Sequence, residues 1–550
     1  MKIVRLVLLS LVLIIIPVNL SGQSHHDWSY NLSIYEVNVR QYTSTGTFAE
    51  FETHLDRLRE LGVGILWFMP IYPIGLENRI ESLGSYYSVK DYYNVNPEFG
   101  TLDDFKALVD SIHTKGMYVI MDWVGNHTSW DNSLTITHPE WYVKDGNGNF
   151  IPPPGTGWTD VIQLDYSKQG LRDYMIEAMK FWINEADIDG FRCDAVSFMS
   201  LDFWTTAISE LKSIKPEIFM LAEDDGMQYP NAGFDMSYGW GLYGFGNGIL
   251  VNIANGTNNA NFVNGYSTLE NTNYPSSHYR MYFTSNHDEN SWYGTVFELF
   301  GDAAEAFAVL TSTFRSMPLI YGGQETGLNH RLLFFDKDEI VWQSHPFTEI
   351  YRTLFQLKKE NKALWNGNDG GQLQRVLTTN NPAIFAFVRE KENYRVFEIF
   401  NLTDQERTFT LQGTLYTGNY RNVFTNDSIL FNENMEITLP AWDYRVYEIG
   451  SGITGIENET ALSEEFTLSQ NYPNPFNPMT TINYQIPVGG FVTIKIYDVL
   501  GNEIKTLVNE QKVIGRYEVN FDANDLASGV YIYKIQVNDF VSAKKMLLLK

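Results

Sequence analysis

The sequence predicts an α/β fold: a (β/α)₈ TIM barrel with a short inserted domain after strand 3, then a C-terminal β-sandwich and a second small all-β tail domain. Three observations carry this reading. Strand-like and helix-like runs alternate from Ser33 to about Lys359, which is the pattern of a parallel sheet. Eight strand runs occur in that stretch, as a closed barrel with insertions requires. From about Gly370 to the C-terminus helical periodicity disappears and short alternating runs replace it. An open doubly wound sheet is the alternative, but no glycine-rich phosphate loop follows the first strand.

Taken in order, Ile34 to Val39 reads as the first strand. Phe48, Phe51, Leu55, Leu58 and Leu61 recur at helical spacing, and Gly62 stops that helix. Val63 to Met69 is the second strand. Thr101 caps a helix carrying Leu102, Phe105, Leu108 and Ile112, and Gly116 ends it. Met117 to Asp122 is the third strand. An irregular segment, about 126–165, carries the turn signals Asp145-Gly146-Asn147-Gly148 and Pro152-Pro153-Pro154. Leu171 to Ile183 is helical. A strand run from Ala186, clearest from Ile188, ends at Asp194. Phe203 to Leu211 is helical and Ile218 to Glu223 is the fifth strand. Phe234 to Tyr238, Arg280 to Ser285 and Pro318 to Tyr321 complete the set.

This divides the chain into 1–23, a signal peptide; 24–365, the barrel; 366–450, the β-sandwich; 451–465, a polar linker; and 466–550, a second β-sandwich. The signal reading rests on Lys2 and Arg5 ahead of an apolar run, Leu6 to Ile16, too short to span a bilayer. No later run reaches the length of a transmembrane helix. The formal charge of −27 argues against a nucleic-acid partner. The tail holds eight basic and seven acidic side chains, a balance of +1, so the acidity belongs upstream and the tail is a separate module. The single cysteine, Cys193, permits no internal disulfide and reads as a small buried hydrophobe.

Candidate chemistry gathers at strand ends. Arg192 and Asp194 share one face of the fourth strand. Alone, that pair is equally a structural salt bridge. Asp122 ends the third strand and leads to Asn126-His127, Glu223 ends the fifth, and Asn286-His287-Asp288 follows the seventh. In a barrel of this kind, that face is where active sites are built. Several carboxylates around a cleft, without a His/Cys metal cage, suggest glycoside cleavage. Arg192 would keep Asp194 ionised, and the apolar approach Met220-Leu221-Ala222 would keep Glu223 protonated. Asp194 is therefore the nucleophile candidate, Glu223 the acid/base, and Asp288 the stabiliser of positive charge. His127 and His287 are candidates to bind sugar hydroxyls.

Asp122…Asn126-His127, Gly190-Phe191-Arg192-Cys193-Asp194-Ala195, Glu223 and Asn286-His287-Asp288 resemble, in order and spacing, the four signature regions of the α-amylase family of glycoside hydrolases. The segment Gly84 to Tyr92, with Phe99-Gly100-Thr101, resembles the family's stretch after the second strand. The resemblance implies that Tyr87 stacks on the sugar beside the cleaved bond. It places Asp122 and Arg192 with Tyr87, His127 and His287 as substrate-binding residues. It also implies a retaining, two-step reaction on α-glucosidic bonds of starch-like α-glucans or maltooligosaccharides. No cofactor is required. Asn126 matches a common calcium ligand without evident partners, which leaves calcium an open option. The family's Lys-His pair after the nucleophile is replaced by Ser197-Phe198.

The tail segments Asn471 to Pro478, Tyr497 to Gly501 and Ser528 to Tyr533 resemble the C-terminal sorting domain of the type IX secretion system. That implies secretion or cell-surface attachment after passage across the outer membrane, with the secretion machinery as partner. A small sugar-binding sandwich is the plainer reading of the tail. For the whole chain the leading expectation is a secreted α-glucan hydrolase. An α-glucan transglycosylase and a catalytically silent carbohydrate-binding protein are the alternatives.

Overall fold

The computed structural model describes residues 26–450 and 466–550, less 472, 487–489, 513–514 and 539. The expected signal peptide and linker lie outside the described residues. The chain divides into two compact units, Met1–Ser451 and Gly452–Lys550.

In the first unit the strands run β1 (Ile34–Val37), β2 (Ile65–Phe68), β3 (Tyr118–Trp123), β4 (His127–Ser129), β5 (Val161–Gln163), β6 (Gly190–Cys193), β7 (Phe219–Ala222), β8 (Met236–Tyr238), β9 (Tyr279–Tyr282) and β10 (Met317–Tyr321). Eight of them close a parallel barrel in the order β1-β2-β3-β6-β7-β8-β9-β10, β10 pairing back onto β1 through Ile34 and Leu319. Sheet faces inside a ring of helices are apolar on both sides, and all residues of β1, β2, β6, β7, β8, β9 and β10 are buried. The helix Leu102–Thr114 shows how local sequence sets this up. Phe105, Leu108, Val109 and Ile112 form its buried stripe, and Thr101 and Asp104 close a reciprocal capping box at its start. The insertion after β3 contributes the two-stranded ribbon β4-β5.

Some boundaries differ from the sequence reading. The helix expected over 48–61 is two, Phe48–Glu52 and Leu55–Leu61. The Thr53 hydroxyl donates to the Glu50 carbonyl at 2.7 Å, a local bond that competes with the helix. The first strand stops at Val37, because Val39–Tyr42 turns into a helical segment. The fourth barrel strand begins at Gly190, since the preceding helix runs on through Ala186 and ends on a left-handed Asp187, φ 51°. It ends at Cys193, so Asp194 stands just beyond it.

After the barrel come a six-stranded antiparallel sheet, a two-stranded sheet (Arg407–Thr410 with Glu436–Leu439) and an apolar core of their own. Buried Arg389 fastens this layer to the barrel by donating to the carbonyls of Thr313, Phe314, Trp365 and Gly371. The second unit packs a three-stranded against a four-stranded antiparallel sheet around Ile482, Ile494, Ile496, Tyr533 and Ile535. Among the described residues no helix is long and apolar enough to cross a membrane.

Candidate active site

The strand register sets the site. Asp122 on β3 pairs directly with Arg192 on β6, so the carboxylate and the guanidinium meet at the C-terminal end of the barrel. Arg192 is wholly buried. Its Nη1 donates to Asp122 Oδ1 and Asp194 Oδ1, each at 2.9 Å, and its Nη2 forms an ion pair with Glu223 Oε1 at 2.5 Å. Its Nε donates to the Tyr238 hydroxyl at 3.2 Å. Trp67, Tyr87 and Tyr238 surround the guanidinium with ring centroids 5.1 to 5.9 Å away. One buried cation thus ties together three carboxyl groups from three strand ends. Bidentate and forked geometry of this kind suits arginine rather than lysine.

Asp194 leaves the strand with its N–H on the Trp123 carbonyl. Ala195 follows in the left-handed region, φ 44°, a conformation costing a non-glycine residue roughly 1 kcal/mol or more. That turn aims the Ala195 N–H at Glu223 Oε2, 2.7 Å away. The nucleophile candidate and the acid/base candidate are therefore held by one guanidinium and by one backbone turn.

Burial raises the Asp194 carboxyl to about 6, against the lowering pull of Arg192. Burial raises Glu223 further, to about 8; Arg192 lowers it, and Asp194 and Asp288 raise it. The expected separation of the two groups is present in order. The expectation that Arg192 alone would hold Asp194 low is not met, because burial outweighs it. Asp122, also raised by burial to about 6, accepts from the Tyr87 hydroxyl at 3.0 Å and from Trp67 Nε1 at 3.2 Å.

A cavity of about 350 Å³ opens above these groups. Tyr87, His127, Asp194, Glu223, His287 and Asp288 all line it. Asp122 and Arg192 do not: both are 0% exposed and stand behind the cavity wall. Direct substrate contact, which the sequence reading assigned to them, is not what this geometry offers; they hold the residues that do face the cavity. Burial lowers the His127 ring to about 4, so it is neutral, with Nδ1 against the Asn126 amide at 3.2 Å. Tyr87 stacks on His287 and Phe334, with interplanar angles of 20° and 13°. Buried Cys193 has its thiol pushed well up by burial, as suits an inert packing residue.

Sequence reasoning missed several wall residues. Trp158 and Asp160 come from the insertion, Trp292 from the turn after Asp288, and Phe334 and Phe335 from the loop after β10. Two adjacent phenylalanines in a loop were the available signal. Phe198 is 41% exposed and stands 6.1 Å from the ring of Trp158, so the position that departs from the family pattern joins an aromatic lip. Glu36 was missed as well. It is a carboxylate within the apolar first strand, is 0% exposed, and meets His287 Nδ1 at 2.5 Å.

Among the described residues no three His, Cys, Asp or Glu side chains converge to hold a metal ion. The Asn126 side-chain nitrogen meets His127 Nδ1 at 3.2 Å, and the Asn126 backbone carbonyl accepts from the Leu164 N–H.

Eight parallel strands, with acidic side chains at their C-terminal ends around one cavity, define a barrel glycosidase. Residues 33–154 match the alpha-amylase catalytic domain model, residues 374–446 the maltogenic amylase C-terminal domain, and residues 470–549 the secretion system C-terminal sorting domain. An alpha-amylase structure from Lactobacillus plantarum is 30% identical, with TM-score 0.66, over 76% of this chain and 98% of that one. A noncanonic maltogenic alpha-amylase, AmyB, from Thermotoga neapolitana is 28% identical, with TM-score 0.68 and the same coverage. Alpha-amylase 2 of Dictyoglomus thermophilum is 26% identical over 426 residues, 71% of this chain and 70% of its own. The chain belongs to the alpha-amylase family, glycoside hydrolases of α-glucans, and its tail marks it for export or display at the cell surface.

Proposed function

We propose that this enzyme hydrolyses the α-glucosidic bonds of starch-like α-glucans or maltooligosaccharides by double displacement, outside the cell. The observation that carries the reading is the Arg192 bridge between Asp194 and Glu223 at the floor of the cavity. Two carboxyls on one guanidinium favour the close spacing, about 5–5.5 Å, that accompanies a covalent intermediate over the wider spacing of inverting enzymes. Asp194 attacks the anomeric carbon as Glu223 gives its proton to the departing glycosidic oxygen. Glu223, now charged, takes a proton from water, and that water displaces Asp194. Asp288, with His287 beside it at 3.4 Å, faces the positive charge of the transition state. Tyr87 and Phe334 offer flat apolar faces to a sugar ring. Export runs through the type IX machinery, read from the C-terminal domain.

The aromatic lip of Trp158 and Phe198 favours one second reading. A sugar stacked there competes with water for the glycosyl group on Asp194, which gives transglycosylation. The test is to incubate the purified protein with starch, pullulan, cyclodextrins and maltotriose and resolve the products by size. Shorter products alone support hydrolysis; longer or branched ones establish transfer; no change in any of them overturns the reading. The Asp194→Ala variant is expected to lose at least about 10⁴-fold in turnover while still binding α-glucan. Turnover close to wild type would remove Asp194 from the nucleophile role.

A further inference from the structure

We propose that Glu36, on the first barrel strand, is a positioning residue that keeps His287 a doubly protonated imidazolium, whose Nε2–H holds the Tyr87 hydroxyl and whose positive charge faces the cavity. This rests on the glycosidase reading of the same cavity and goes beyond it in assigning a residue that never touches substrate.

The hydrogen-bond pattern supports this placement of the protons. The Tyr87 hydroxyl has one hydrogen, and it goes to Asp122 Oδ2 at 3.0 Å. The same hydroxyl lies 2.8 Å from His287 Nε2, so there it accepts and Nε2 carries a hydrogen. On the other side of the ring, Nδ1 meets Glu36 Oε1 at 2.5 Å. Glu36 Oε2 is buried without a hydrogen-bond partner among the described residues, so the hydrogen bonding of this carboxyl is committed to His287. Burial raises the Glu36 carboxyl and His287 pulls it back down; with Glu36 ionised, Nδ1 donates to it, and a hydrogen on each nitrogen makes the ring a cation.

The charges around the ring support the same placement. Glu36 faces it from β1, Asp122 from β3, Tyr87 from the loop after β2, and Asp288 from its own segment, while Arg192 on β6 opposes a second cation. Tyr238 on β8 and Tyr321 on β10 face Glu36. Trp67 meets the ring edge-on at 84°, which locks its orientation. Burial works against a charged ring, but Asp288 and then Glu36 outweigh it and push His287 up to about 9. A neutral His287 would leave Asp122 and Asp288 facing an uncharged ring.

The experiment combines a pH profile with a direct proton readout. In Glu36→Gln the anionic partner is gone, and His287 falls toward the ordinary histidine range of about 6.5. The ratio of kcat/KM at pH 8 to that at pH 6, on maltotriose, is then expected to fall about tenfold or more relative to wild type. A role in packing alone would lower activity equally at both pH values. A ratio within twofold of wild type, in a variant with wild-type circular dichroism, overturns the proposal. The second measurement needs no variant at Glu36. Histidine-labelled full-length enzyme is examined by nitrogen NMR, with His287 assigned through His287→Asn. Two protonated ring nitrogens at pH 7.5 are expected, and a neutral tautomer overturns the proposal even if Glu36→Gln fails to fold. Because NMR reads the proton without substrate, a protein inactive on every glucan would sink the glycosidase reading and leave this test standing.

Discussion

At the scale of single residues, the site is an exercise in separating like groups. Three carboxyls meet Arg192, yet Asp194 and Glu223 are displaced to different heights, about 6 and about 8, chiefly by burial. The sign of each effect sets the pH dependence. On the proposed mechanism, Asp194 takes up a proton below about 6 and loses the charge with which it attacks. Above about 8 Glu223 gives up the proton that the leaving oxygen needs. The kcat/KM profile is therefore expected to be bell-shaped, with its limbs near those two values. Glu223→Gln is expected to flatten the alkaline limb and to cost about 10²–10⁴-fold; a persisting alkaline limb in that variant would assign the titration to another group. That Asp194, Glu223 and Asp288 face one cavity was legible in the sequence, because a strand end is a fixed address in a barrel. Glu36 was not, because nothing in a short strand tells which buried carboxylate meets a histidine some 250 positions away.

At the scale of elements, the barrel was legible because its strands are short, apolar and separated by helices of regular period. The boundaries were less so. Ala186 was read into a strand although the helix before it runs to that residue; an alanine fits either state, and the left-handed Asp187 that ends the helix carries no glycine signal. The insertion was the least legible part. Its ribbon β4-β5 holds only three residues a strand, and its contribution to the site, Trp158 and Asp160, comes from the approach to β5 rather than from a periodic element. By contrast the helix Leu102–Thr114 is written out by its own caps. Both halves of its capping box are made, Asp104 N–H to Thr101 Oγ1 at 3.2 Å and Thr101 N–H to Asp104 Oδ2 at 2.8 Å. Thr101→Ala removes one acceptor from the first turn and is expected to cost about 1 kcal/mol in urea unfolding. Activity per folded molecule should not change, since this helix lies on the outer ring; a loss of activity without a loss of stability would contradict that placement.

At the scale of the whole molecule, the chain carries separate cores. The apolar cluster of residues 468–548 shares no member with those of the first unit, and the catalytic candidates, with the cavity they line, lie entirely in the first. The sequence already hinted at this in the charge of the tail, nearly balanced where the rest of the chain is strongly acidic. Cooperative unfolding requires shared burial. The two units, which share no apolar cluster, are therefore expected to melt as two transitions in calorimetry. A chain ending at Gly450 should keep one transition, at the temperature it has in the full protein, and the full turnover on α-glucans. It should lose export in a host with type IX secretion, which fractionation of cells and medium would read. If truncation abolished turnover or lowered the temperature of the remaining transition, the tail would be part of the enzyme's fold rather than a module with its own core, and its role would extend beyond addressing.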